Sequence, residues 1–582
     1  MNFARLFADE IAFLKEVGGD FAAANPTLAP LLAEEGGDPD VRRLLEGFAF
    51  LTAKLRQRMD DDLPELLQDL IAVLAPQLLA PVPPMTTVEW LPRPRAVSAP
   101  QLIARGTKLR SRPVAGTSCR FTTCFDVLLA PLRIAGVAVD QGPRGATLRL
   151  SFEATEPMPL ARLGLGRLRL HIAGGSRSGL GPELLRRLLT DAVSVRVTAA
   201  GITRELGPAA LSAGGLGAED AVLPLAATAN QSFRLLQEYL IFPQKFLYLD
   251  VTGLEALAGS DAQGFELSIR LDHSLDDLPR LEPSTFRLHC TPAVNLFEAE
   301  SEPLTVDGSR GEYRMRPQGY PAGHAVIARV QAMWGWLQGS GQRIAFEPFT
   351  SFGHLTAATG SRQPVFRPRL APATVGDGTD TMVSFGFERP EDALRGCVAS
   401  ARLICTNGEL ADILPAGGLD VPDAETPPFA SFRNIDPISR QIEPPLAAGL
   451  LAPVVAVLAG AAAPITDLET LRRTIAAFEF RIGTDSAAER ALRLRLAAIR
   501  EVRSGPLDWF VAGRPVRGQR ITFDIAEREI GGMGEAWLLG GVLNGFLAAR
   551  APINTCFQTE IVCLAAERSF RWAVHDGTAP SL

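Results

Sequence analysis

Residues 233–254 read FRLLQEYLIFPQKFLYLDVTGL, and the first part of this stretch, residues 233–240, predicts a short helix. A second short helix is predicted around residues 180–189. Both interrupt a region in which short apolar runs are separated by Gly, Pro and polar turns, as at residues 87–90, 146–150 and 168–172. Alternation with turn signals is typical of strands. From residue 85 to about residue 445 the chain is therefore predicted to be β-rich, with short helices set into it.

The first ninety residues have the spacing of helices. Apolar residues recur every three or four positions over residues 3–14 and predict a first helix. A second helix is predicted from Pro39, because proline at the first helical position loses no hydrogen bond and the preceding Asp38 caps free N–H groups. A third is predicted from Pro64 to about residue 75, behind an acidic run that suits the positive end of the helix dipole.

The remainder of the chain has mixed patterns. Helices are predicted around residues 467–477, 486–498 and 535–549, with a strand at residues 519–524. The fold class is therefore α+β and multidomain, with a helical N-terminal region, a β-rich middle and a mixed α/β C-terminal region. The predicted limits are 1–84, 85–300, 301–445 and 446–582.

Length and charge limit the classes of function that the sequence is compatible with. The 582 residues are enough to bury large cores, and the formal net charge is −7. The pI of about 5.6 argues against general nucleic-acid binding, which needs a basic surface. Seven cysteines with no Cys-x-x-Cys pair predict reduced, mostly buried thiols in a cytosolic protein, and no secretory signal is expected at the N-terminus. The uncharged run at residues 444–466 is rich in Ala and Gly, so a buried helix is predicted there and not a membrane span.

Motifs that carry a reaction mechanism are missing from the sequence. There is no phosphate loop, no Gly-x-Ser-x-Gly and no His-Glu-x-x-His. The run 174–179 is predicted to be a turn between a strand and a helix. His289 and Cys290 are adjacent, but neighbours on a strand point to opposite faces and cannot form a catalytic pair. No catalytic residue, cofactor site or metal site is therefore predicted.

Several collinear blocks carry a resemblance to a known family. They are FADEIAFLKEVGGDFAAANPTLAPLL (7–32), DPDVRRLLEGFAFL (38–51), DDLPE (61–65), ARGTKLRS (104–111), CRFTTCFDVLLAPL (119–132), the opening stretch from residue 233, CTPAVNLFEAESEPL (290–304), LICTNGELADILP (403–415) and GEAWLLGGVLNGFLAARAPINTCFQTEI (534–561). The order and spacing of these blocks resemble the TssF family (also called VasA or ImpG), baseplate subunits of the bacterial type VI secretion system.

The resemblance implies a wedge-like fold related to phage tail baseplates and a structural role without catalysis. It implies that two TssF chains assemble with one TssG and with TssE. It further implies that the wedges surround the VgrG spike hub, contact TssK, and seed the TssB–TssC sheath. The baseplate would dock on the inner-membrane complex from the cytoplasmic side. A wedge of a phage-tail-like contractile system and a β-rich hydrolase are the alternatives.

The apolar stripes of the second and third helices are the predicted interface, because a short segment cannot bury them alone and an intermolecular helical bundle would. The candidate residues are Val41, Leu44, Leu45, Phe48, Leu51, Leu55, Leu66, Leu67 and Leu70. The alternative is that the stripes pack on the chain's own β-rich middle. Two Pro-rich breaks, at residues 76–84 and 427–445, are the predicted hinges of a baseplate that must change state.

Overall fold

The computed structural model describes residues 7–8, 10–14, 17, 39–143, 145–173, 179–224, 232–337, 343–349, 364–373, 378–387, 397–460, 465, 467–511, 514–553 and 555–577. Side chains are described for the same residues except 39, 41, 42, 55–63, 337, 448, 511, 514 and 515.

The helices of this part of the chain include those predicted for the middle and the C-terminal region. They are α1 (Pro39–Leu74), α2 (Leu180–Thr190), α3 (Ser232–Ile241), α4 (Glu409–Asp412), α5 (Ala448–Ala459), α6 (Leu468–Ala477), α7 (Ser486–Ala498) and α8 (Met533–Ala548). Residues 7–8 and 10–14 are also helical.

One helix, α1, replaces the two predicted before residue 76, because it continues through Pro64. An internal proline costs about 3 kcal/mol in a helix. Here the two halves of α1 bury the same face, with Ala49 and Ala53 before the proline and Leu67 and Ile71 after it. Packing of that shared face explains why the helix does not break.

The strands cover most of the remaining described chain. They are β1 (Met85–Pro92), β2 (Gln101–Ile103), β3 (Lys108–Val114), β4 (Thr117–Thr123), β5 (Val127–Leu129), β6 (Leu132–Gly142), β7 (Gly145–Ala154), β8 (Arg167–Ile172), β9 (Ala192–Ala199), β10 (Ile202–Glu205), β11 (Leu211–Gly214), β12 (Tyr248–Thr252), β13 (Gly264–Leu271), β14 (Phe286–Leu288), β15 (Cys290–Val294), β16 (Phe297–Glu300), β17 (Leu304–Val306), β18 (Tyr313–Arg314), β19 (Val326–Leu337), β20 (Arg343–Pro348), β21 (Val365–Pro372), β22 (Thr379–Gly386), β23 (Cys397–Thr406), β24 (Val421–Pro422), β25 (Ala430–Asn434), β26 (Ile499–Val511), β27 (Arg514–Ile525), β28 (Cys556–Cys563), β29 (Arg568–Arg571) and β30 (His575–Asp576).

These strands form several sheets, so the predicted α+β class is confirmed. Sheet A has the order β24-β3-β4-β15-β1-β25, sheet B β10-β9-β13-β7-β6, and sheet C β11-β12-β8-β14. Sheet D has the order β16-β23-β19-β20-β21-β22-β18, with β17 also paired to β23. Strands β2 and β5 form a small ribbon, and β26-β27-β28-β29 with β30 form the C-terminal sheet.

Sheet A joins strands from both sides of the boundary predicted at residue 300. Strand β1 pairs with β15 on one side and with β25 on the other, where Glu89 lies opposite Arg433. The carboxylate of Glu89 is buried and accepts hydrogen bonds from Arg433 and Arg287. Residues 430–434 therefore complete a sheet begun before residue 100. The four domain limits themselves stay a prediction.

The opening stretch lies at the centre of the largest core. All ten residues of α3 are buried. The ring of Phe233 stacks on Phe478 at a centroid distance of 4.6 Å and lies 5.7 Å from Phe546 of α8. Helix α3 thereby connects the β-rich middle to the C-terminal helices.

A buried ion pair lies just behind α3. Glu238 and Lys245 are both 0% exposed, and the Lys245 ammonium group donates a hydrogen bond to Glu238 Oε2. Glu238 Oε1 accepts from the backbone N–H groups of Val222 and Leu223 at 2.8 and 2.9 Å. Burial lowers the pKa of Lys245, and the charge of Glu238 opposes that shift. The pair ties α3 to the short 3₁₀ helix that contains Lys245 and to the loop at Val222 and Leu223.

The two predicted hinges are hydrogen-bonded to each other in this structure, and that they act as hinges stays a prediction. Val82 and Ile442 exchange backbone hydrogen bonds of 2.8 and 3.1 Å. The N–H of Ser439 donates to the carbonyl of Met85 at 2.8 Å, and the N–H of Met85 donates to the Ser439 hydroxyl at 2.9 Å. The prolines of the first segment are mostly buried as well, so the two segments pack together in this state.

Gly534 allows α8 to touch α2. A Cβ atom at this position would lie 2.3 Å from the backbone nitrogen of Glu183 and 2.4 Å from its Cα. A Cβ at Gly541, on the same helix, would meet nothing closer than 3.7 Å. The two glycines therefore differ in how closely a neighbouring element approaches them.

We expect Gly534→Ala to destabilise the chain by about 1–3 kcal/mol, because backbone atoms of α2 must move to admit the methyl group. Thermal unfolding of the purified full-length chain measures the change. Gly541→Ala is the matched control and should leave the melting temperature unchanged or raise it slightly, since alanine favours a helix. Equal losses for both variants would contradict the close approach at Gly534.

We expect Lys245→Met to lower the free energy of unfolding by about 3–5 kcal/mol, because it leaves the Glu238 carboxylate buried without its counter-charge. The double variant Glu238→Gln/Lys245→Met should recover much of this loss, since glutamine still accepts from Val222 and Leu223. Denaturant unfolding of both variants tests this. A double variant as unstable as Lys245→Met alone would show that the ammonium group acts through packing and not through charge.

Candidate partner-docking surface

Helix α1 carries a stripe of large apolar side chains that remain exposed among the described residues. Leu44, Phe48 and Leu51 are 73%, 64% and 65% exposed. Leu66 and Val73 continue the stripe at 58% and 64%. Single exposed apolar residues are common on proteins, but a contiguous apolar face of this kind marks an interaction site. We call these five residues with Leu70 the α1 stripe.

The α1 stripe lies on one side of the helix, and the residues that α1 buries lie on another. At about 3.6 residues per turn, the six stripe residues fall within roughly 100° of one another around the helix axis. The buried residues of α1 that follow Pro64, Leu67 and Ile71, lie on the opposite side, as do Ala49 and Ala53 before it. The part of α1 that follows Pro64 therefore packs on the body with Leu67 and Ile71, and α1 presents a second apolar face outward.

The predicted interface residues divide along these two faces. Leu44, Phe48, Leu51, Leu66 and Leu70 are exposed. Leu45 is half-buried, and the side chains of Val41 and Leu55 lie outside the described residues. Leu67 is buried in the chain's largest core, as the alternative of self-packing implied for part of the stripe. That any of these residues contacts a partner stays a prediction.

Sequence reasoning missed the end of the stripe. Val73 and Leu74 are 64% and 45% exposed and continue the helical spacing of Leu66 and Leu70. The same periodicity could have found them, because both lie within the helix predicted to about residue 75. Phe50 is also exposed on one side, and its ring lies 6.3 Å from that of Phe7 in an edge-to-face contact.

The C-terminal half of α1 is attached to two other parts of the chain. It packs against α5, whose Leu451 and Val454 are buried in the same core as Leu67. Its acidic residues form ion pairs with β21, where Arg369 Nη1 is 3.0 Å from Glu65 Oε1 and Arg367 contacts Asp69. These contacts hold the helix so that the α1 stripe faces away from the body.

The adjacent His289 and Cys290, which the sequence singles out, are both buried. His289 has a φ of 55° and accepts a hydrogen bond from the backbone N–H of Ala130, so it is not a strand residue as predicted. Burial lowers the pKa of His289 to about 4 and raises that of the adjacent Cys290 thiol well above its usual range. Both are therefore neutral and unsuited to act as a base and nucleophile. All seven cysteines are buried and free, and the glycine run at 174–178 lies outside the described residues.

One cluster has the composition of a cation site. Ligand atoms of Asp191, Asp272 and His273 lie within 4.8 Å of one another. However, Asp191 accepts hydrogen bonds from Arg568 and Thr190. Burial alone would raise the pKa of Asp191, but these hydrogen bonds and nearby arginine charges lower it. The carboxylate is thus already neutralised by arginine, and the cluster holds α2 to the C-terminal sheet.

The apolar run after residue 444 forms α5, a helix of 12 residues. No helix among the described residues is long and apolar enough to cross a membrane.

Comparisons with known proteins agree on one family. A sequence model of the family described as "Type VI secretion system, TssF" matches residues 1–579. The chain is 30% identical to the type VI secretion system component TssF1 of Pseudomonas aeruginosa, over 99% of both chains.

Solved structures give the same result. A chain in the cryo-electron microscopy structure of the TssK–TssF–TssG baseplate subcomplex of the type VI secretion system is 27% identical, with a TM-score of 0.76. That match covers 93% of this chain and 99% of the other. A chain of the type VI secretion system baseplate complex has the same fold, with a TM-score of 0.61, 23% identity and full coverage of both chains. The chain therefore belongs to the TssF family of the type VI secretion system.

Proposed function

We propose that this chain is a structural wedge component of a type VI secretion baseplate and that the α1 stripe is where it joins its partners. The observation that carries the proposal is the exposed row of Leu44, Phe48 and Leu51 on a helix whose other face is anchored. The similarity to a chain of the TssK–TssF–TssG baseplate subcomplex supports TssG and TssK as partners. We add a second copy of the chain on the family resemblance alone.

The chemistry of the stripe favours helices as its occupants. Leucine and phenylalanine side chains at positions three and four apart pack into the grooves of neighbouring helices. Fully burying one such side chain contributes about 1.5–3 kcal/mol, so a few of them outweigh much of the entropy cost of association. We propose a bundle in which α1 packs against helices of TssG and of a second copy.

The remaining parts of the assembly follow from the resemblance alone. We propose that TssE joins the same wedge, that the wedges surround the VgrG hub, and that they seed the TssB–TssC sheath. The assembled baseplate would lie in the cytoplasm, docked to the inner-membrane complex without insertion of this chain into the bilayer. No nucleic acid or cofactor is required for this role.

We further propose that the chain acts without catalysis. The buried histidine and cysteines are neutral at physiological pH, since burial holds the pKa of Cys124 and of Cys405 at about 12. The carboxylate cluster at Asp191 is bound by arginine.

We expect Leu44→Glu/Phe48→Glu/Leu51→Glu to weaken binding to the cognate TssG at least tenfold, because three charges replace apolar contacts. Pull-down and size-exclusion chromatography of the two full-length proteins measure the loss. Since the three side chains are exposed in the isolated chain, its melting temperature should change little.

The matched control is Leu102→Glu/Ile202→Glu, which alters two apolar residues that are 64% and 62% exposed on other surfaces. It should bind TssG as the wild-type chain does. Unaltered binding of the α1 variant would remove the proposal. Point substitutions are preferable to deletion of residues 1–84, because Leu67, Ile71 and Leu78 belong to the chain's own core.

A further inference from the structure

Sheet D forms a lobe with a core of its own. All of its strands lie within residues 296–406, which we call the lobe. Its buried apolar residues form a cluster distinct from the two other cores, and they include Phe297, Met333, Phe366, Val383 and Leu403. A unit with its own core can change orientation without exposing apolar surface that folding has buried.

The chain enters and leaves the lobe side by side, through two buried asparagines. Asn295 and Asn407 are both 0% exposed. The N–H of Asn407 donates to Asn295 Oδ1 at 2.6 Å, and Asn295 Nδ2 donates to Asn407 Oδ1 at 2.9 Å. Asn295 Nδ2 also donates to the carbonyl of Arg120, whose own N–H donates to Asn407 Oδ1. We call these two residues the neck.

Further polar contacts attach the described part of the lobe to the body: Thr117 Oγ1 lies 2.7 Å from His324 Nδ1, and ion pairs are formed at α1. Arg367 and Arg369 of β21 form ion pairs with Asp69 and Glu65 of α1. The Arg367 and Asp69 side chains are 41% and 44% exposed, so water reaches this contact. On the same side, the Thr379 hydroxyl donates to Glu443 Oε2 at 3.0 Å.

We propose that the lobe turns about the neck and that helix α1 latches it through the Asp69–Arg367 and Glu65–Arg369 ion pairs. Partly exposed ion pairs are weak and are screened by salt, so they can break and re-form while the neck holds. Because α1 also carries the stripe, assembly on α1 and the orientation of the lobe are coupled, and this last clause rests on the proposed function. The joint of this proposal lies beside Asn295 and Asn407.

The test measures the distance between the lobe and the body in the isolated full-length chain. Spin labels are attached to two exposed positions, Arg329→Cys on β19 of the lobe and Arg204→Cys on β10 of the body. Pulsed electron–electron double resonance gives the distribution of distances between the two labels. The native cysteines are buried, which protects them from labelling. Asp69→Asn, Asp69→Arg and the exchange Asp69→Arg/Arg367→Asp are compared with the parent.

We expect one dominant distance in the parent. Asp69→Asn and Asp69→Arg should raise the population of other distances about two- to five-fold, the effect of losing a surface ion pair. The exchange should restore the parent distribution, because it re-forms the pair with opposite polarity. Glu153→Arg, which breaks the Arg133–Glu153 pair within the body, is the control and should have no effect.

An unchanged distribution in both Asp69 variants, or an exchange that fails to restore it, would overturn the latch. Because no partner is present, this result is independent of whether the α1 stripe binds TssG.

Discussion

The fold depends on a carboxylate and an ammonium group that water does not reach. Glu238 belongs to α3, Lys245 to the turn behind it, and the backbone donors on Glu238 come from Val222 and Leu223. Removing two charges from water is costly, so this geometry persists only where each partner and each donor is in place. When this arrangement forms, α3, the turn after it and the loop before it are held in fixed positions relative to one another.

Helix α3 also positions other parts of the molecule. Phe233 at the start of α3 packs on Phe478 and Phe546, so the C-terminal helices are positioned by the same element. Close approach continues along α8, where Gly534 touches α2. Sequence blocks that resemble the TssF family contain such positions in the opening stretch and at 534–561, whereas residues 39–51 and 61–65 of two other blocks lie on α1. We propose that the surface that meets partners is a separate feature, carried by α1.

Helices could be predicted from the sequence because their information is local. The period of apolar residues placed α2, α3, α6, α7 and α8, and capping residues placed the start of α1. The joining of β25 to β1 could not be predicted, since nothing local links Arg433 to Glu89, which lie more than three hundred residues apart. Continuity of α1 through Pro64 was missed for a related reason, because the packing that outweighs a proline is a tertiary contact. The stripe was predicted as apolar, but its division between Leu67, inside, and Leu66, outside, required the structure.

Buried charge and close packing hold the body of the chain together, and helix α1 exposes an apolar face. The central claim is that this face is covered by other proteins in the assembled baseplate. The most direct measurement is a cryo-electron microscopy structure of this chain bound to its cognate TssG and TssK. We predict that Leu44, Phe48 and Leu51, which are 73%, 64% and 65% exposed in the free chain, become buried against partner helices. A complex in which these three side chains remain exposed to solvent would contradict the account.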